Sequence, residues 1–167
     1  MQVKTPKELF TTVLSAAREG TERTAKILQE ISQAAQSPEI KEALDARIFV
    51  KDKILSTLDE VFRLIGEQPV KSGGRLLDVF VEDFRRELAE IQSPEARRLF
   101  VLVKAGQLAH IRLGEYRLLI AAADITGHYG VGVLLESCLA DELAFIERAR
   151  RLVRSIAEAK IALRAAS

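Results

Sequence analysis

The apolar positions of this 167-residue chain recur every three or four residues over long stretches, and no segment shows the strict alternation of a half-buried strand. Each long run is bounded by start and stop signals. "TPKE" places Thr5 at an N-cap, Pro6 at the first helical position and Glu8 where a capping box takes an acid, groups that meet the free N–H groups of a first turn. "SPEIKEAL" and "SPEARRLF" repeat the arrangement: Ser37 and Ser93 can cap, Pro38 and Pro94 have no N–H to leave unsatisfied, and Glu39 and Glu95 suit the positive end of the helix dipole. Gly66 and Gly127 supply stops, because glycine tolerates the left-handed conformation that ends a helix. The pattern predicts helices over about 6–35, 38–65, 94–124 and 129–164. Between the pairs, "EQPVKSGGRLLDVFVEDFRRELAEIQ" opens as a glycine-rich turn and continues with Leu76, Leu77, Phe80, Phe84 and Leu88 at helical spacing, a short crossover helix. Two helical hairpins joined by a long connection describe an all-α, ferritin-like four-helix bundle. At this length, one domain over 1–167 suffices to bury a core.

The inward stripes are apolar at their ends and polar in the middle. The first helix presents Thr21 and Thr24 between Leu14 and Leu28, and the second presents Arg47 between Ala43 and Ile54. Arg47 either points inward or snorkels to the bundle edge. The third helix presents Ala109 or His110, and the fourth Glu142 followed by Phe145 or Ile146. His110 and Glu142 lie equally far, sixteen residues, from the turn at position 126, so an antiparallel hairpin predicts that they share a layer. The turn near position 37 likewise levels Val50 with Thr24 and Arg47 with Ile27. Polar stripe residues thus gather at mid-bundle, where ferritin-like proteins build a di-iron centre from carboxylates and histidines.

These residues bring in a family resemblance. "SPEIKEALDARIFVKDKILSTLDEVFRLIGEQP" and "YRLLIAAADITGHYGVGVLLESCLADE" resemble the second helix and the third-to-fourth hairpin of the YciE/YciF family of bacterial stress-associated proteins, and the likeness spans roughly residues 8 to 155. The resemblance implies a ferritin-like bundle, a homodimer and a carboxylate-rich metal site. Its ligand positions fall, however, on different residues here. The first-helix glutamate falls at Thr21, with Glu22 one step off the stripe; the second-helix His and Glu fall at Arg47 and Val50. The third-helix Glu pair falls at Ala109 and Arg112, and the last fourth-helix acid at Ile146. Asp141 and Glu142 match, and the histidine beside the first of the third-helix glutamates survives as His110. Hard oxygen ligands are needed to offset the charge of two irons, so the resemblance implies a site stripped of its metal. Arg47 or Arg112 could pair with Glu142 in the metal's place.

Composition narrows the rest. With 25 Lys+Arg against 24 Asp+Glu, the chain has no global field for nucleic acid or an anionic membrane, and no stretch reaches the ~20 apolar residues of a membrane span. A basic last helix with Arg148, Arg150, Arg151, Arg154, Lys160 and Arg164 is a solvated face or a patch for an acidic partner. Cys138, the single cysteine, reads as an inert core thiol in a reducing compartment. "GHYGVG" follows a helix and reads as a turn rather than a phosphate loop. The expectation is a cytoplasmic, non-catalytic protein without cofactor, acting through an unidentified protein partner and, as the family resemblance implies, in a stress setting. The alternative is a di-iron oxidase or peroxide-consuming protein using Glu22, His110, Asp141 and Glu142. The overhanging end of the last helix, with Ile156, Ala159 and Leu163, is expected to seek cover in the homodimer.

Overall fold

A computed structural model describes residues 3–71 and 74–165, with side chains through position 159. The described residues form α1 (Pro6–Ala34), α2 (Pro38–Phe49), α3 (Lys51–Ile65), α4 (Leu76–Glu90), α5 (Pro94–Ile125) and α6 (Val131–Ala165). Thr5 Oγ1 accepts from Glu8 N–H at 3.1 Å, while Glu8 reaches back to Lys4 N–H at 2.7 Å. Ser93 caps α5 through Ala96 N–H at 3.3 Å. Ser37 makes no such side-chain cap, although Pro38 still opens α2. Gly66 and Gly127 end their helices at φ of 69° and 81°, the region where a Cβ would be strained.

The predicted second helix is two helices. Val50, at φ −77° and ψ −1°, interrupts it, and its carbonyl accepts from Ile54 N–H at 3.1 Å so that helical geometry resumes one residue later. No Gly or Pro marks this break. It leaves Phe49 at 85% exposure on the outside of the junction.

In the bundle, α1 runs antiparallel to α2 and α3, and α5 runs antiparallel to α6. α1 packs on α5, α2 and α3 pack on α6, and α4 lies against α1 and α5. Surface pairs Arg23–Asp78 and Arg85–Glu30 hold α4 to α1, and Lys104–Glu87 holds it to α5.

The core divides in two. One apolar cluster, near the α1–α2 turn, joins Ile31, Leu44, Phe84, Leu108 and Phe145. The other, near the α5–α6 turn, joins Leu14, Leu58, Leu119, Leu135 and Cys138. Thr21, Thr24, Arg47, Arg112 and Glu142 lie between them along the four bundle segments, all buried. The mid-bundle polar layer expected from the stripes is thus where the two apolar cores meet.

Candidate functional site: a buried arginine layer

Arg47 comes from the last turn of α2 and points inward at 4% exposure, so it does not snorkel. Its guanidinium grips Glu142 of α6 with both arms, Nε donating to Oε2 at 3.1 Å and Nη2 donating to Oε1. Glu142 has no solvent exposure. Taking an isolated carboxylate out of water would cost several kcal/mol, and the two-pronged contact offsets that by satisfying both oxygens.

Arg112, from the middle of α5, is also fully buried, but its partners differ. Nη2 donates to the Ala17 carbonyl at 2.5 Å, to Thr21 Oγ1 at 2.9 Å and to the Tyr116 hydroxyl at 3.1 Å, while Nη1 donates to Glu115 at the rim. The first two acceptors belong to α1. Arg112 therefore ties α5 to the backbone of α1 and makes no hydrogen bond to Glu142. Thr24 Oγ1 and Arg112 Nε are buried with no hydrogen-bond partner among the described residues. Each such atom forfeits roughly 1–3 kcal/mol of lost hydration.

Electrostatics follow from this packing. Burial works against the Arg112 charge, but Tyr116, Glu115 and Glu142 more than compensate, so its pKa stands above that of an ordinary arginine. Burial raises the Glu115 carboxyl above the usual range despite the Arg112 guanidinium beside it. Burial likewise raises the Tyr116 phenol, against the pull of Arg112.

The remaining sequence-derived positions scatter. Thr21 is in the layer and Ala109 is buried beside it, both too short or too inert to ligate strongly. His110 was expected level with Glu142. Its ring instead faces solvent, Nδ1 lying 2.7 Å from the Gly106 carbonyl. The cause is rotation: Ala109 holds the inward slot, and the next residue turns about 100° away from it. On α6, Phe145 takes the inward slot at 6% exposure, and Ile146 is half-buried against the core. Val50 is half-buried at the α2–α3 break. Glu22 is exposed beside Arg18, and Asp141 pairs with Lys53 at 2.8 Å on the outside of the bundle.

Glu22, His110, Asp141 and Glu142 thus do not converge. Among the described residues, no three His, Cys, Asp or Glu side chains come together in a way that could hold a metal ion. The donor set does not fit a di-iron centre: two guanidiniums occupy the layer, and its one fully buried carboxylate spends both oxygens on Arg47.

Two members of the site lie off the inward stripes. Glu115 lies three residues after Arg112, a spacing that brings side chains together on a helix. Gly20 lies on α1 beneath the Arg112 guanidinium. The available signal was its unexplained position in mid-helix, where glycine costs ~1 kcal/mol relative to alanine and so marks a close approach.

The chain's relatives are consistent with this frame. The family model described as a domain of unknown function, DUF892, matches residues 5–162. The E.coli stress protein YciF superposes with a TM-score of 0.87 at 16% identity, covering 93% of this chain and 99% of that one. YcfI, a putative structural protein from Rhodopseudomonas palustris, superposes at 0.84 and 20% identity, covering 89% of this chain and 95% of that one. A protein from Xanthomonas campestris pv. campestris superposes at 0.68 and 17% identity, covering 93% and 99%. No curated protein matches the chain in sequence. At these identities the likeness to solved structures shows the fold.

Proposed function

The chain belongs to the DUF892 family, and from that premise we propose that it is a non-catalytic, metal-free member of a ferritin-like lineage that acts as a structural or interaction module in a stress setting. The observation that carries this reading is the pairing of Arg47 with Glu142: a permanent cation takes both oxygens of the one acid that a metal in the layer would require. Arg112 fills the remaining space from the α5 side and is satisfied by Ala17, Thr21 and Tyr116. The layer then holds the two bundle halves in register, with charge balanced by side chains in place of a metal.

The stress setting is taken from the printed name of YciF and the structural role from that of YcfI. The reading includes a cytoplasmic protein that forms a homodimer and meets another protein through its surface, with neither nucleic acid nor membrane as partner. Among the described residues, no helix is long and apolar enough to cross a membrane.

The rival is iron chemistry by Glu22, His110, Asp141 and Glu142. Metal analysis of protein purified from iron-replete cells separates the two. The metal-free reading expects iron far below one equivalent and no gain on anaerobic addition of ferrous iron. Iron at one to two equivalents with an oxo-bridged absorption band overturns it.

A further inference from the structure

We propose that the outer face of α5 is a self-complementary surface on which a second copy of this chain docks, antiparallel, across a two-fold axis passing near residue 112. This deepens the homodimer expectation included above and is independent of whether the bundle binds metal.

α5 carries large apolar side chains on its outward side as well as toward the core, whereas a bundle helix needs only one apolar stripe. Its outward side leaves Leu99 37%, Val103 50%, Leu118 70% and Ile125 80% exposed. The same face carries Gly106 and Gly114, where a Cβ would meet no atom within 4 Å, and its ionised residues are Arg117 and, near the C-terminal end, Asp124. From Leu99 to Ile125 the face runs about 39 Å at ~1.5 Å per residue. At a helix width of ~10 Å that is ~400 Å², so the adjoining surfaces of α4 and α6 must supply the rest of the ~800 Å² per partner that a stable dimer buries.

The order of side-chain sizes along the face selects the partner. An antiparallel copy centred on residue 112 sets Gly106 opposite Leu118, Gly114 opposite His110 and Val103 opposite Ala121, a large residue against a small one each time. It also sets Leu99 against Ile125 at both ends, and Arg117 against the neutral amide of Gln107. Between the two α5 helices no like charges meet. An isologous contact needs this property, since each pairing occurs twice. The space to receive Leu118 already exists: Gly106, Gln107 and His110 line an open depression of about 940 Å³, walled by Phe80 of α4 and by Ile146 and Arg150 of α6.

This places the interface elsewhere than the overhang of α6. There Ile156 is half-buried on the core and Ala159 is exposed, and Leu163 lies outside the described side chains.

Sedimentation equilibrium from about 1 to 100 µM, a range spanning ordinary dimer affinities, should give twice the chain mass. Leu118→Glu and Gly114→Glu, at exposed positions, should each weaken association by about 100-fold while leaving the helical circular dichroism and melting of the monomer intact. The double variant Gln107→Cys/Arg117→Cys should form an intermolecular disulfide on mild oxidation. Gln107→Cys alone should not, because two copies of residue 107 would lie ~15 Å apart along the axis, beyond the ~7 Å that a disulfide spans. A single-chain mass at every concentration overturns the proposal and leaves the face to a different protein. A dimer that survives both glutamates, or that cross-links through position 107 alone, also overturns it. Iron content is unaffected by any of these outcomes, so the mass measurement and the metal measurement fail separately.

Discussion

The guanidinium of Arg112 fills the space that Gly20 leaves empty: a Cβ at position 20 would stand 3.3 Å from Arg112 Cζ and closer still to Nη1. Gly20 lies in the middle of α1, where helix propensity alone makes alanine better by ~0.5–1 kcal/mol. Contact with a buried head group held by hydrogen bonds to Ala17, Thr21, Glu115 and Tyr116 reverses the sign. Gly20→Ala is expected to destabilise the fold by ~1–3 kcal/mol, as overpacking does. Gly132→Ala in α6, where the nearest atom would be 4.0 Å away, should be neutral or stabilising. Urea denaturation of both variants is the check, and a more stable Gly20→Ala would mean that Arg112 has room to move.

Cys138 offers a second test, of how closed the core is. It is 1% exposed among Leu58, Val61 and Leu135, and burial pushes its thiol up to about 11. Only about one molecule in a thousand would carry the thiolate at pH 8, even before access is considered. Ellman's reagent should therefore react with the native protein at a rate set by opening of the bundle, and promptly and stoichiometrically in denaturant. Prompt labelling of folded protein would contradict the packing around α6.

Most of the fold was legible in the sequence because the caps are local. Thr5, Ser93, Gly66 and Gly127 act within a turn of themselves, and all four do so as read. The break at Val50 was not legible, since it is a single off-helix ψ with no Gly or Pro to announce it. In the site, the stripe period found Arg47 and Glu142, which lie on the centre line of their helices. It could not choose between Ala109 and His110, adjacent residues straddling that line, and equal distance from a turn fixes height along the bundle but not rotation about the helix. Which acceptor each arginine finds depends on how two helices face each other, and periodicity carries no information on that.

Glu115 makes a pH-dependent prediction whose sign can be worked through. Burial raises its folded-state pKa above the unfolded value, with Arg112 opposing and Glu142 adding to the rise. Between the unfolded and folded pKa values the native state holds the extra proton, so this group's contribution to stability falls as pH rises through that window and is constant above it. The stability of wild type relative to Glu115→Gln should accordingly decline from about pH 4.5 upward and then level off, measured by urea unfolding at a series of pH values. A difference that instead grows with pH would mean that the Arg112 contact outweighs burial.

Arg47 and Arg112 should respond differently to the same second change. Arg47→Ala orphans the fully buried Glu142 carboxylate, and breaking a buried pair in this way costs ~3–5 kcal/mol, against ~0–1 for an exposed pair. Glu142→Gln should restore part of that loss, because the amide removes the uncompensated charge at nearly the same volume and still hydrogen-bonds. Arg112→Ala should also be costly, through the hydrogen bonds it withdraws from Ala17, Thr21 and Tyr116 and the space it vacates over Gly20. Glu142→Gln should not rescue it, since Arg112 makes no hydrogen bond to Glu142. Replacing both members of the first pair by apolar side chains of similar size, Arg47→Met with Glu142→Leu, should come within ~1 kcal/mol of wild type or exceed it, as buried ion pairs do when exchanged whole. A double-mutant cycle by chemical denaturation resolves all of these terms. If Arg47→Ala costs less than ~1 kcal/mol, or if Glu142→Gln rescues Arg112→Ala as well as Arg47→Ala, then the layer is one shared charge cloud and the specific pairing of Arg47 with Glu142 is not what holds it.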